Sequence, residues 1–97
     1  DFGDWTLDRG QLQVFNGNHE KAGLTVHEFK LLDTLVTHAG QVLKREYLCD
    51  ALSIENYTPT PRAIDVKIAR IRKKIGDDAS NPQIIKTVHG AGYIFEN

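Results

Sequence analysis

Apolar residues in the first 24 positions recur at every second place. Trp5 and Leu7, then Leu12 and Val14, alternate with polar neighbours, the period of a half-exposed strand. Asp8-Arg9-Gly10 and Asn16-Gly17-Asn18 fall between or after these pairs, and Asn-Gly beside alternating residues signals a hairpin. A small antiparallel sheet of three or four strands is therefore expected over residues 1–24. The period changes at Thr25. From Val26 to about His38, Phe29, Leu32, Leu35, Val36 and Ala39 form a broad helical face. Thr25 and Glu28 have capping-box spacing, Leu24 and Phe29 flank them as a hydrophobic staple, and Gly40 stands where a C′ glycine belongs. Gln41–Leu43 reads as a short connection. A second helix from Lys44 to about Leu52 should bury Tyr47, Leu48, Ala51 and Leu52, with Lys44 a weak N-cap.

Ser53–Thr60 is a loop by its Asn, Thr and Pro content. Thr60-Pro61 then reads as an N-cap followed by proline at the first helical position. The third helix should run from Pro61 to about Ile75 and stop at Gly76. Ile64, Ile68, Ile71 and Ile75 recur at helical spacing and, at about 100° per residue, fall within a sector of about 60°. Arg62, Val66, Ala69, Arg70 and Lys73 lie opposite, and Lys67, Lys74 and Arg72 flank the stripe. An acidic connection leads to a strand over 83–88, a turn at His89-Gly90-Ala91-Gly92 and a returning strand at Tyr93–Phe95. An α+β chain is expected: an N-terminal antiparallel sheet (1–24), three helices (25–75) and a β-hairpin (83–96). That order is the winged-helix plan, in which the third helix enters a DNA groove and the hairpin is the wing.

Length and charge sharpen this picture. With 97 residues, one domain spanning 1–97 is expected. The formal net charge of −1 argues against nucleic acid until its distribution is considered. Pro61–Gly76 holds six basic residues and one acid, whereas the rest of the chain holds six basic and twelve acidic ones. One element carrying the cations suits a domain that touches phosphates through that element. A solvated helix face is the alternative, but such a face favours Glu, Gln and Lys paired along the helix. Val66 with Ala63 and Ala69 among cations suits close approach to a duplex. Docking of the basic helix on an acidic protein remains a second reading.

The remaining residues exclude other classes. No apolar run approaches the roughly 18 residues of a membrane span. A single cysteine, Cys49, leaves no internal disulfide or multi-cysteine zinc site and reads as a packing or surface thiol. His19, His27 and His38 lack metal-ligand spacing. No nucleophile–base pair or phosphate loop can be assembled, so the expectation is no enzyme, no cofactor, no metal and no small-molecule substrate. The opening DFGDWTLD resembles neither a signal nor a transit peptide. A cytoplasmic piece of a longer protein is expected.

Four stretches carry a family resemblance: LTVHEFKLL (24–32), GQVLKREYL (40–48), RAIDVKIARIRKKI (62–75) and TVHGAGY (87–93). Together they resemble the DNA-binding effector domain of OmpR/PhoB-type response regulators, over essentially the whole chain. The resemblance implies a winged helix behind a four-stranded N-terminal sheet, bound to direct-repeat half-sites of double-stranded DNA as a head-to-tail pair with a second copy. A receiver domain, phosphorylated through a sensor kinase, would drive that pairing, and no receiver lies within these residues. The Ser53–Thr60 loop matches the family's transactivation loop, which touches RNA polymerase in some members. Among site residues, Arg70 matches a base reader and Val66 an apolar base contact. Arg62 and Arg72 match phosphate contacts, with Lys67, Lys73 and Lys74 as further candidates. Thr87 and Tyr93 match wing residues whose hydroxyls approach the DNA backbone. His89 stands where the family usually carries arginine. Histidine ordinarily titrates just below neutral pH, so minor-groove anchoring here would depend on pH. Asp65 is expected to pair with a neighbouring arginine rather than face phosphates.

Overall fold

A computed structural model describes residues 2–96; the outermost residues of the expected 1–97 unit, Asp1 and Asn97, lie outside them. The elements are β1 (Thr6–Asp8), β2 (Gln13–Phe15), α1 (Val26–Thr37), β3 (Val42–Leu43), α2 (Arg45–Ala51), α3 (Pro61–Ile75), β4 (Ile85–Val88) and β5 (Gly92–Phe95). β1 and β2 pair antiparallel, and a second antiparallel sheet has the order β3-β5-β4.

The helix boundaries follow the capping signals. Glu28 N–H donates to Thr25 Oγ1 at 3.1 Å and Thr25 N–H to Glu28 Oε1 at 3.0 Å, which closes the expected box at the start of α1. At α3, Ala63 N–H donates to Thr60 Oγ1 at 3.2 Å, Pro61 opens the helix and Gly76 ends it in the left-handed region. The apolar faces of α1 and α3 meet over the core. Ile64, Ile68 and Ile71 are fully buried and Ile75 is 4% exposed, beside Phe29, Leu31, Leu32 and Leu35 of α1.

Several expectations are corrected. The N-terminal sheet has two strands, not the three or four expected. Among the described residues, the segments on either side join it only through the isolated bridges Phe2–Trp5 and Phe15–Lys21. A further strand is cut short because Gly23 turns the chain at φ +83°. The Gln13 side chain then takes over the pairing, donating to Leu24 O at 2.9 Å and accepting from Leu24 N–H. Leu12 belongs to the turn before β2, at φ 54°, rather than to an alternating strand. Gly40 lies one residue beyond C′, since α1 ends on His38; its N–H reaches Phe95 O at 3.0 Å. Gln41–Leu43 is more than a connection, because Val42 and Leu43 pair with Ile94 and Tyr93 as β3. In α2 the buried side is Leu48 and Cys49, with Leu52 just beyond, while Tyr47 is 46% exposed and packs edge-on against His38. Leu48, Cys49 and Leu52 recur at helical spacing on one face, so Cys49 takes the inward place assigned to Tyr47.

β5 approaches the β3–α2 corner so closely that only glycine fits at its first position. Gly92 has φ +147°, and an added Cβ would overlap Leu43 O and lie 3.0 Å from Lys44 Cα. Gly76 is also left-handed, at φ +76°, but its Cβ position is open. Gly92→Ala is therefore expected to cost about 3 kcal/mol or more, against about 1–2 kcal/mol for Gly76→Ala. Urea denaturation of both variants checks the ranking, and equal losses would contradict the close approach.

Candidate nucleic-acid interface

The outward side of α3 is set by helical geometry. With four isoleucines in the core, Arg62, Val66, Ala69, Arg70 and Lys73 must point away, and all are exposed. Val66 remains 41% exposed despite its apolar side chain. Beside this face the β4–β5 hairpin carries His89, Gly90 and Ala91 at its exposed tip, where Ala91 N–H closes the turn on Val88 O at 2.9 Å. A groove of about 210 Å³ separates the hairpin from Arg45 and Glu46 at the start of α2.

The cations of α3 divide into two sets. Arg62, Lys67, Arg70 and Lys73 have no carboxylate within ion-pair distance among the described residues. Lys74 is different: its Nζ lies 2.6 Å from Glu28 Oε1. Burial alone would raise the Glu28 carboxyl pKa, but Lys74, the Thr25 amide and the nearby Arg70 charge together hold it below the ordinary value. One carboxylate thus caps α1 and anchors the last turns of α3.

Arg72, expected on phosphate, is 8% exposed and turned toward the C-terminal sheet. Its Nε and Nη2 donate to Ile85 O at 3.1 and 2.7 Å, and Nη2 also donates to Thr87 Oγ1 at 2.9 Å. The guanidinium carbon sits 5.8 Å from the Tyr93 ring centroid. The assignment of Tyr93 is corrected for a related reason. Tyr93 is 6% exposed and its hydroxyl donates to Asp65 Oδ1 at 2.6 Å, so no proton is left for a phosphate oxygen. Burial, with Asp65 adding to it, pushes the Tyr93 pKa up to about 12. Thr87 is exposed and accepts from Arg72 while its own proton remains free. Asp65 does pair with an arginine, but with Arg45 of α2, at 2.9 and 3.0 Å, rather than with one on its own helix.

The sequence reading missed Arg45 and Asp77. Asp77 is 5% exposed and accepts from the N–H groups of Gln83 (2.7 Å), Ile84 (3.2 Å) and Ile85 (2.9 Å). An aspartate directly after the helix-ending glycine was the available signal. Arg45 offered none, because its partner lies 20 residues away. Among the described residues no cluster of side chains could hold a metal ion, and no helix is long and apolar enough to cross a membrane.

With this geometry in place, the comparisons with known proteins are specific. The sequence family described as "Transcriptional regulatory protein, C terminal" matches residues 19–95. The chain belongs to this OmpR/PhoB-type family. It is 39% identical to the transcriptional regulatory protein AruR of Pseudomonas aeruginosa, over 97% of this chain and 38% of that protein. It is 42% identical to RstA of Escherichia coli, over 97% of this chain and 39% of that protein. The chain thus spans about two fifths of the length of these relatives. Among solved structures, the Klebsiella pneumoniae RstA DNA-binding domain in complex with RstA box superposes with a TM-score of 0.85 at 41% identity, covering 98% of this chain and 93% of that one. Thermotoga maritima DrrB, an OmpR/PhoB homologue, also gives a TM-score of 0.85, at 38% identity, covering 100% of this chain and 43% of that one. The winged-helix fold of this family is therefore the fold of the chain.

The Glu28–Lys74 pair has a pH signature. A carboxylate whose folded-state pKa is lowered contributes stability that is present above its unfolded pKa and is lost as pH falls through the folded value. Glu28→Gln should destabilise the chain most at neutral pH. The difference from the parent should vanish as pH drops below about 4, under the ordinary glutamate value. Thermal unfolding across that range measures it, and a pH-independent difference would contradict the ionic contribution.

Proposed function

We propose that this chain is the sequence-specific, double-stranded-DNA-binding output domain of a two-component response regulator. The single observation carrying this reading is the two-sidedness of α3: isoleucines in the core on one side, and unpaired cations with exposed Val66 and Ala69 on the other. In the proposed complex α3 lies in the major groove. Arg70 grips a base edge, since a guanidinium can take guanine bidentately, and Val66 offers apolar contact to a thymine methyl. Arg62, Lys67 and Lys73 hold phosphates and fix register, a task requiring only charge and reach. The wing tip at His89 lies near the adjacent minor groove, with Thr87 donating to the backbone.

The same reading extends to the longer protein. A second copy binds head-to-tail on a direct repeat, and a receiver domain answering a sensor kinase controls the pairing in the cytoplasm. The loop Ser53–Thr60 is the contact for RNA polymerase. Its exposed Ile54 and Tyr57, 47% and 50% accessible, support an interaction role. The domain acts by binding and not by catalysis.

Selection of bound fragments from random duplexes tests the reading, giving site, spacing and orientation together. The three phosphate-holding cations of α3, Arg62, Lys67 and Lys73, predict that log K falls against log salt with a slope of about −3 per bound chain. Arg70→Ala should weaken the selected duplex by about 1–3 kcal/mol and random duplex by much less. Flat salt dependence would remove the phosphate contacts from the account, and equal loss on both duplexes would remove Arg70 from base readout.

A further inference from the structure

The first residue of β4 is held from both sides by buried, charged side chains that belong to α3 and to the residue just beyond its end. Ile85 is fully buried. Its carbonyl accepts two N–H groups of Arg72, and its N–H donates to Asp77 Oδ2 at 2.9 Å. Asp77 N–H in turn donates to Arg72 O at 2.8 Å, so the two side chains spring from one hydrogen-bonded turn at the end of α3. Two further ties fix the rest of the hairpin. Thr87 in β4 takes the second bond of Arg72 Nη2, and Tyr93 in β5 donates to Asp65.

We propose that Arg72 and Asp77 are positioning residues that clamp Ile85 and so set the wing against α3, with Arg72 acting on DNA only through β4. The proposal rests on the DNA-binding reading for its functional consequence, but not for the clamp itself. A bidentate donor meeting one carbonyl is a demand that lysine cannot satisfy. A carboxylate accepting three successive amides holds a strand start in one register. The arrangement also accounts for a cationic residue of α3 being turned inward although its helix faces outward with four others.

The wing permits a clean discrimination. Residues 87–93 contain no lysine or arginine, and Lys86, the one such residue in β4 and β5, lies below the tip with its Nζ 2.8 Å from Glu96 Oε1, so at about pH 8 misplacing the wing tip releases no lysine or arginine from DNA. Arg72→Lys, Arg72→Gln and Asp77→Asn are compared with the parent chain on one duplex recovered by selection and on the random pool, each over a salt series. All three variants should bind the selected duplex about fivefold more weakly or worse, with the salt slope unchanged. For Asp77→Asn the sign is itself informative, because deleting a negative charge would by simple attraction tighten binding. The proposal is overturned if Arg72→Lys retains affinity while Arg72→Gln lowers the slope by about 1, or if Asp77→Asn binds more tightly.

Amide hydrogen exchange without DNA provides the independent arm, and Asp77→Asn keeps it informative should the Arg72 variants not fold. Amides of β4 and β5 should exchange faster in Asp77→Asn while those of α1 keep their protection. Unchanged wing amides, or equal acceleration in α1, overturn the clamp. A parent chain that bound no duplex would defeat the DNA-binding reading alone, leaving the clamp to be judged by exchange.

Discussion

Everything in this fold turns on fixing the rotation of α3 about its own axis. Four isoleucines do so. Burying a side chain of that size contributes about 1.5–3 kcal/mol, and Ile64, Ile68, Ile71 and Ile75 all lie in the core with the leucines of α1. Turning the helix by one residue, about 100°, would lift that row from the core and carry charged side chains toward it. The outward face of α3 is thus a consequence of the inward one. Thr60 and Gly76 fix its length, so both the angle and the extent of the exposed strip follow from local sequence.

Charge is partitioned as strictly as hydrophobicity. Two of the six cations on α3 hold the domain together. Lys74 meets Glu28, and Arg72 meets a carbonyl, a hydroxyl and an aromatic face without a carboxylate in ion-pair range among the described residues. A buried charge is tolerated only when its donors are satisfied, and each Arg72 contact supplies part of that. The remaining four cations, Arg62, Lys67, Arg70 and Lys73, make no ion pair among the described residues. A summed charge over the helix therefore overstates what is available to a polyanion.

The parts of this structure that were legible in the sequence obey short-range rules. The capping box at Thr25, the Thr60-Pro61 start, the Gly76 stop and the isoleucine period each lie within a few residues of their cause, and each is found where those rules place it. The β4–β5 hairpin belongs to the same class. The features that escaped are those whose cause lies far along the chain. β3 is two residues long and exists only because β5 lies beside it. Tyr47 lies outside the core against His38 of the α1 C-cap, and the N-terminal sheet lost a strand where Gly23 turns the chain and the Gln13 side chain takes the pairing. Among the candidate site residues, Arg62, Val66, Lys67, Arg70 and Lys73 were placed by periodicity alone. Arg72 and Tyr93 were not, because what claims Arg72 lies across the β4 backbone and what claims the Tyr93 hydroxyl lies on α3 itself, 28 residues earlier.

The N-terminal sheet touches α3 through one polar contact of particular use. Trp5, the sole tryptophan, donates its indole N–H to Ile75 O at 3.0 Å. That carbonyl ends the hydrogen-bond ladder of the helix and would otherwise need water. The chain consequently carries a built-in fluorophore whose ring straddles the joint between its first strands and the tail of its basic helix. Any rearrangement that parts those two bodies wets the indole, and the emission colour of the native protein becomes a gauge of their separation with no label attached.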